Sequence, residues 1–382
     1  MTSFLVFTVL VLIGIAVWQL TKIYDLTQFG TASENSEVAN DKDNSVNGYL
    51  MFAFVGFIYV FTIYSLYAWG DLILGTPASE HGKDVDSLMA ISMALIFFVQ
   101  TFTQFLLHYF AFKYRGKEGQ KALYFADNNK LEAIWTIIPV IVLAGLIMYG
   151  LYTWNNIMFV DEEDKQDAIV IELYAKQFGW EARYAGEDKT LGKANVRLIE
   201  GINTLGVDLA DPAAQDDKVV TELHLPVGKK IIFKMRSQDV LHSAYMPHFR
   251  AQMNCVPGMI TQFSFTPSVT TADMRNDEAI IAKVDKINKI RTKNSAKIVA
   301  EGGVALDPYT FDYLLLCNKI CGASHYNMQM KIVVDTPEEY KAWLAEKPTL
   351  AQQWKEANAP QPVEAAGTPA VDSTKVVAQV IK

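Results

Sequence analysis

The sequence predicts a chain in two parts, a set of membrane-spanning α-helices followed by an all-β domain built as a sandwich or barrel. Two observations carry this. Hydrophobic residues make up 51% of the 382 positions, more than a soluble domain usually holds. The excess falls in the first 155 residues, as apolar stretches at 4–20, 49–69, 88–112 and 133–152. Beyond residue 168 the pattern changes to short β-rich segments separated by Gly, Pro and Asp, which is the rhythm of a sandwich or barrel.

Crossing the hydrocarbon core takes about 20 apolar residues. The last three stretches meet that length, and the first is marginal. Residues 1–20 lack a basic leading segment and an A-x-A-like cleavage site, which favours a retained helix over a secretory signal. Residues 49–69 form the next span. Residues 88–153 form a helical hairpin. Its turn carries Lys113, Arg115, Lys117, Lys121 and Lys130, whereas residues 70–87 hold only Lys83. The positive-inside rule therefore places 113–130 in the cytoplasm. Everything after about Trp154 then lies outside, as does the N-terminus, and Lys22 follows the first span on the inner side.

Residues 21–48 are polar and read as a loop. After the last span comes an acidic run of Asp161, Glu162, Glu163, Asp164 and Asp167. It reads as solvated surface, with docking of a basic partner as the alternative. Strands are expected at 168–174, 219–225, 230–235, 259–265, 312–316 and 329–334, with a turn at Pro226-Val227-Gly228. These define a β domain over 168–347. An insert at 272–305 breaks the rhythm. There Ile280, Ile281, Val284, Ile287 and Ile290 recur at helical spacing among Lys283, Lys286, Lys289, Arg291 and Lys293, so a short basic amphipathic helix packed on the sheet is expected. Residues 336–346 form another helix, with Pro337 in its first turn and acids after it. Residues 349–382, rich in Ala, Pro, Gln and Val, read as a disordered tail. The formal charge of −8 argues against nucleic acid and weakly favours a cationic partner.

The run LLLCNKICGASHYNMQMKI holds Cys317, Cys321, His325 and Met328 in the spacing C-x3-C-x3-H-x2-M. Two thiolates, an imidazole and a thioether are a soft ligand set, and soft ligands select copper. A structural disulfide between Cys317 and Cys321 is the plain alternative outside the cell. The histidine and methionine at fixed spacing favour metal, a mononuclear blue site usually has one cysteine, and zinc would not choose methionine. A further histidine is expected from an earlier loop. His242 follows a strand and the turn-like Ser237-Gln238-Asp239, where Asp239 could orient it; His248 is the weaker choice. Cys255 is expected to be a free thiol inside the domain near the site.

Three separated motifs now coincide: the C-x3-C-x3-H-x2-M loop, D-V-L-H-S at 239–243 with V-P-G at 256–258, and L-E-x-I-W-T-I-I-P at 131–139. In this order they resemble subunit II of haem–copper terminal oxidases of the cytochrome c oxidase type, over roughly residues 88–347. The resemblance implies a cupredoxin-like β domain holding a dinuclear copper centre, CuA. In it Cys317 and Cys321 bridge as thiolates, His242 and His325 each terminate one copper, and Met328 and the backbone carbonyl of Lys319 are weak axial ligands. It also implies an integral protein of the bacterial inner membrane with its β domain in the periplasm. Such a subunit accepts electrons from cytochrome c, or a c-type cytochrome domain, and passes them to the haem–copper catalytic subunit, which reduces O2 to water in a proton-translocating complex. A membrane-tethered copper-binding or copper-delivery module without turnover is the alternative.

The chain departs from that pattern in places. Lys319 stands where the family usually has Glu, and Asn254 where it has Asp. Hard divalent cations want carboxylate oxygens, so the family's Mg²⁺ site is expected to be absent here or built by the partner. Phe178 replaces the first Trp of the family's Q-W-x-W, at which electrons enter. Trp180 or Tyr184 then takes that role, with a core tryptophan as the plain alternative for Trp180. Glu132 corresponds to the mouth of a proton-uptake path, or simply suits a helix N-terminus, with Asn129 as half of a capping box.

Overall fold

The computed structural model describes residues 2–28, 40–70 and 73–359. Among them, four helices are long and apolar enough to cross a membrane: α1 (Thr2–Gln28), α2 (Asp41–Trp69), α3 (Gly82–Lys113) and α4 (Asn129–Met158). The described chain forms two compact units, one over 1–73 and 89–147, the other over 74–88 and 148–382.

In the helical unit, the start of α2 is tied to the basic segment after α3. Glu118 N–H donates to Asp41 Oδ1 at 2.8 Å, Asn44 Nδ2 to the Gly116 carbonyl at 3.2 Å, and Arg115 Nε to Ser45 Oγ at 3.2 Å. Gly48 lies against the Phe112 ring, where a Cβ would approach to 2.5 Å, so glycine sets how closely α2 and α3 meet. These contacts put the 40–48 and 113–118 segments on one side of the membrane, the arrangement that the loop charges require.

The second unit is a β-sandwich preceded by a short acidic helix, α5 (Glu162–Asp167), whose Asp164 and Asp167 pair with Lys230 and Lys229. Its strands are β1 (Ile169–Lys176), β2 (Gly179–Tyr184), β3 (Lys218–Val220), β4 (Leu223–Pro226), β5 (Ile231–Ser237), β6 (His242–Met246), β7 (Ala251–Cys255), β8 (Thr261–Phe265), β9 (Tyr313–Cys317) and β10 (Gln329–Asp335). They form two five-stranded sheets, in the orders β3-β2-β1-β5-β8 and β4-β10-β9-β6-β7. β1 runs parallel to β5 and β4 parallel to β10; the remaining pairs are antiparallel. This is the cupredoxin-like sandwich that the resemblance implied. β1 is buried on both faces, and so reads as the continuous apolar run IVIELYA. Its one acid, Glu172, is met by Arg183 Nε at 2.7 Å and by Arg236. Inward residues of both sheets, among them Ile171, Phe233, Met246, Tyr313 and Ile332, form one core, which Ala78 and the last turn of α4 also join.

Several expected elements differ. The segment at 219–225 is two strands, because the chain leaves one sheet at Val220 and joins the other at Leu223. The β6–β7 hairpin was not expected. It turns through Arg250 in the left-handed region (φ 52°), where glycine is usual. The arginine is held there by Asp86, 2.7 and 2.9 Å from Nε and Nη2, and by the carbonyls of Pro247 and Gly75. The insert contains α6 (Thr271–Arg275) and a 23-residue α7 (Glu278–Ala300), not one short helix. Ile280 of α7 is buried and Val284 packs on the core, but Ile281 and Ile290 are exposed. Helix α8 (Pro337–Glu346) has the expected Pro337, with a full capping box between Thr336 and Glu339. The tail expectation is corrected at its start: α9 (Leu350–Ala357) is helical, with a capping box between Thr349 and Gln352 and with Leu350 and Ala351 buried. Residues 360–382 of that expected tail lie outside the described residues.

Candidate metal centre

β6, β9 and β10 are neighbours in one sheet, and the ends of these strands bring the expected ligands together. Ala244 of β6 pairs with Cys317 at the end of β9, and Ser243 accepts from Asn318 N–H at 3.0 Å. The Cys317 N–H donates to the Met328 carbonyl at 3.1 Å. That bond closes the loop between β9 and β10 and turns its side chains toward His242.

The sulfur atoms of Cys317 and Cys321 lie 3.8 Å apart, far beyond the ~2.05 Å of a disulfide, and both cysteines are free. Nδ1 of His242 is 3.8 Å from Cys317 Sγ, and Nδ1 of His325 is 3.6 Å from Cys321 Sγ. Met328 Sδ is 3.7 Å from Cys321 Sγ, and the Lys319 carbonyl oxygen is 3.2 Å from Cys317 Sγ. The ligand atoms of His242, Cys317 and Cys321 all lie within 4.8 Å of one another. The donors at this spot are therefore two thiols, two imidazoles presenting the same ring nitrogen, a thioether and a carbonyl. The set fits copper, since the sulfur ligands are soft and the imidazoles suit the same ion.

His242 is fully buried and its other nitrogen, Nε2, is 2.8 Å from Asp239 Oδ1. A proton on Nε2 leaves Nδ1 free to face the sulfurs, which is how a carboxylate partner selects the tautomer of a ligating histidine. Burial opposes ionisation of Asp239, but the Gln177 N–H, the His242 ring and the Val240 N–H hold its carboxyl below the usual range. Burial, and then the neighbouring Cys317 thiol, push the Cys321 thiol up to about 11. Cys255 pairs in register with His242, is fully buried, and has its thiol pushed up to about 12 by desolvation.

The remaining expected residues fall elsewhere. His248 lies between Phe311 and Tyr313, with ring centroids at 5.1 and 5.5 Å, away from the sulfurs. Trp180 is 5% exposed, so its indole is not a surface group; Phe178 is the exposed aromatic of the pair, at 39%. The Trp180 ring lies 6.3 Å from that of His242. Tyr184 is buried and donates to the His224 carbonyl. Glu132 is an exposed residue in the first turn of α4. The cap there comes from Asn128, whose Oδ1 accepts from Leu131 N–H at 3.1 Å, not from Asn129. Lys319 is exposed. Sequence reasoning missed Gln177. Its N–H donates to Asp239 Oδ2 at 2.7 Å and its side-chain amide donates to the Cys321 carbonyl. Beside the ligands Ile320 (87%) and Tyr326 (88%) are exposed apolar side chains, next to the exposed Asn318 and Lys319.

Comparison with known proteins identifies the relatives. Residues 67–153 match the family model of the cytochrome c oxidase subunit II transmembrane domain, and residues 170–272 that of its periplasmic domain. The chain is 32% identical over 294 residues to the alternative cytochrome c oxidase subunit 2 of Bradyrhizobium diazoefficiens, covering 76% of this chain and 88% of that protein. It is 24% identical over 305 residues to cytochrome c oxidase subunit 2 of Thermostichus vulcanus, covering 73% and 80% of the two chains. It is 21% identical over 322 residues to the Synechocystis subunit 2, covering 80% and 82%.

Proposed function

The chain belongs to the cytochrome c oxidase subunit II family, and from that premise we propose that its β domain holds a dinuclear copper centre that takes electrons from cytochrome c, or a c-type cytochrome domain, and delivers them to a haem–copper catalytic subunit. The protein is an integral membrane subunit of an oxidase complex with its β domain outside the cytoplasm. The convergence of Cys317, Cys321, His242, His325, Met328 and the Lys319 carbonyl at one end of the sandwich carries the proposal.

Bound copper supplies a one-electron carrier. The chain's own residues supply the rest. Cys317 and Cys321, with sulfurs 3.8 Å apart, would hold the copper as two thiolates and would share the change of charge between them. Their loop is fixed at both ends by strands, so the ligands move little when the charge changes. Asp239 keeps the His242 tautomer, and the buried Trp180 ring meets that imidazole edge-on. The apolar surface made by Ile320, Tyr326 and Phe178 suits brief contact with an electron-carrying partner, in which release matters as much as binding. The role proposed for Glu132, an exposed acid in the first turn of α4, is proton uptake toward a neighbouring subunit.

Metal analysis and electron paramagnetic resonance of the full chain, purified with copper, test the proposal. Two coppers per chain with one unpaired electron shared between them is the expected result, lost in Cys317→Ser and Cys321→Ser. One copper per chain with a mononuclear signal overturns it.

A further inference from the structure

The two halves of the metal centre come from distant parts of the sequence, and one residue touches both. Gln177 sits in the turn between β1 and β2. Its backbone N–H donates to Asp239 Oδ2 at 2.7 Å, while Asp239 Oδ1 meets His242 Nε2 at 2.8 Å. Its side-chain Nε2 donates to the carbonyl of Cys321. A second backbone bond, from Gln238 N–H to the Ala175 carbonyl at 2.9 Å, anchors the 237–241 loop beside it. The next residue of the turn, Phe178, covers Gly322 so closely that a Cβ there would lie 2.8 Å from the ring.

We infer that Gln177 is a positioning residue that clamps the His242 loop and the C-x3-C loop together and so sets the spacing between imidazole and thiols before any metal arrives. The inference rests on the proposed copper site and goes beyond it, because no ligand role is given to Gln177 itself. Its amide is the feature that matters. The backbone N–H survives substitution by alanine or glutamate, so the Asp239 arm persists while the Cys321 arm is lost. Carboxylate in place of amide would face the Cys321 carbonyl with an acceptor and push the loop outward.

The test compares wild type with Gln177→Ala and Gln177→Glu in the full chain. In metal-free protein, iodoacetamide should label Cys321 faster in both variants. In copper-loaded protein, release to a copper chelator should be faster by about 10- to 100-fold, the range for losing an outer partner of a metal site, and the thiolate-to-copper absorption bands should shift. Combining Gln177→Ala with Asp239→Asn should cost less than the sum of the two, since both belong to one network. Unchanged labelling and release overturn the inference. So does faster release with wild-type bands and a matching drop in the unfolding midpoint, which would mark a purely structural turn. If wild type binds no copper the proposed function fails, while the labelling of metal-free Cys321 still decides the role of Gln177. Should Gln177→Glu not fold, Gln177→Ala deletes the same bond without adding charge.

Discussion

Trp180 lies edge-on to His242, with ring centroids 6.3 Å apart and planes inclined at 63°. The indole is buried, and its Nε1–H has no hydrogen-bond partner among the described residues. Holding a tryptophan with an unsatisfied donor in a core costs stability, so the ring is retained for something other than a hydrogen bond. Phe178 is exposed on the same hairpin, two residues earlier.

Trp180→Phe should therefore fold and bind copper as wild type does. The ring is kept in reduced size and a burdensome N–H is removed, so the stability change should stay below about 1.5 kcal/mol. Electron uptake from a reduced cytochrome should slow, measured by stopped-flow reduction of the copper bands. Phe178→Ala should weaken uptake through the apparent affinity instead, because it trims the exposed surface. Equal uptake rates in Trp180→Phe and wild type would leave the indole as core packing.

Arg183 is the anchor of the sheet that carries no ligands. It is 2% exposed, and meets Glu172 Oε2 at 2.7 Å and Asp217 Oδ2 at 2.9 Å. Arg236 also reaches Glu172. Removing one partner of such a buried group strands the others, at a cost of about 3–5 kcal/mol. Arg183→Met should lower the unfolding free energy of the detergent-solubilised chain by that amount, while copper content of the protein that remains folded is unchanged.

His248 gives the domain an acid-sensitive step. Burial, with Lys283 and Arg250 nearby, lowers it from 6.5 to about 4. The unfolded chain takes up a proton below 6.5 and the folded chain only below about 4. The stability present above 6.5 is thus lost as the pH falls toward 4. Asp217 has the opposite sign: desolvation raises it from 3.8 to about 6, so its contribution falls as the pH rises through that window. The informative quantity is the difference between variants. The drop in unfolding midpoint between pH 7 and 4.5 should be smaller in His248→Leu than in wild type, and larger in Asp217→Asn. A slope unaltered by His248→Leu would show that the imidazole takes up its proton alike in the folded and unfolded chains, and overturn the lowered value.

Much of the centre was legible because its chemistry is local. Cys317, Cys321, His325 and Met328 lie within one loop, and the strands flanking it have plain β sequences. His242 was legible from D-V-L-H-S, where Asp239 sits at the distance needed to reach Nε2. The clamp by Gln177 was not, since it depends on a turn 144 residues away from Cys321. The β6–β7 hairpin was hidden because its left-handed position holds Arg250, which is fixed by Asp86 and so needs no glycine. The passage from β3 to β4 was hidden by an unbroken β-rich run, in which nothing in the residue types marks a change of sheet. Helix α9 was legible in principle: Thr349 and Gln352 have capping-box spacing, but the alanine- and proline-rich residues beyond them dominated the composition.

Gly322 joins the ligand loop to its cover. It follows Cys321 directly and has φ 138°, a conformation that side chains rarely adopt. A Cβ there would lie 2.8 Å from the Phe178 ring and 3.0 Å from Gln177 Nε2. Gly322→Ala must therefore strain the backbone, at about 1–3 kcal/mol, and displace either the ring or the amide that holds the Cys321 carbonyl. Loss of the amide contact should raise the copper release rate, as in Gln177→Ala. Phe178→Ala should partly restore retention in the Gly322→Ala background, because it vacates the space the new methyl needs. Copper release by the single and double variants, followed with a chelator, checks this; a double variant no slower to lose copper than Gly322→Ala alone would place the damage in the backbone of residue 322, not in its contact with the ring.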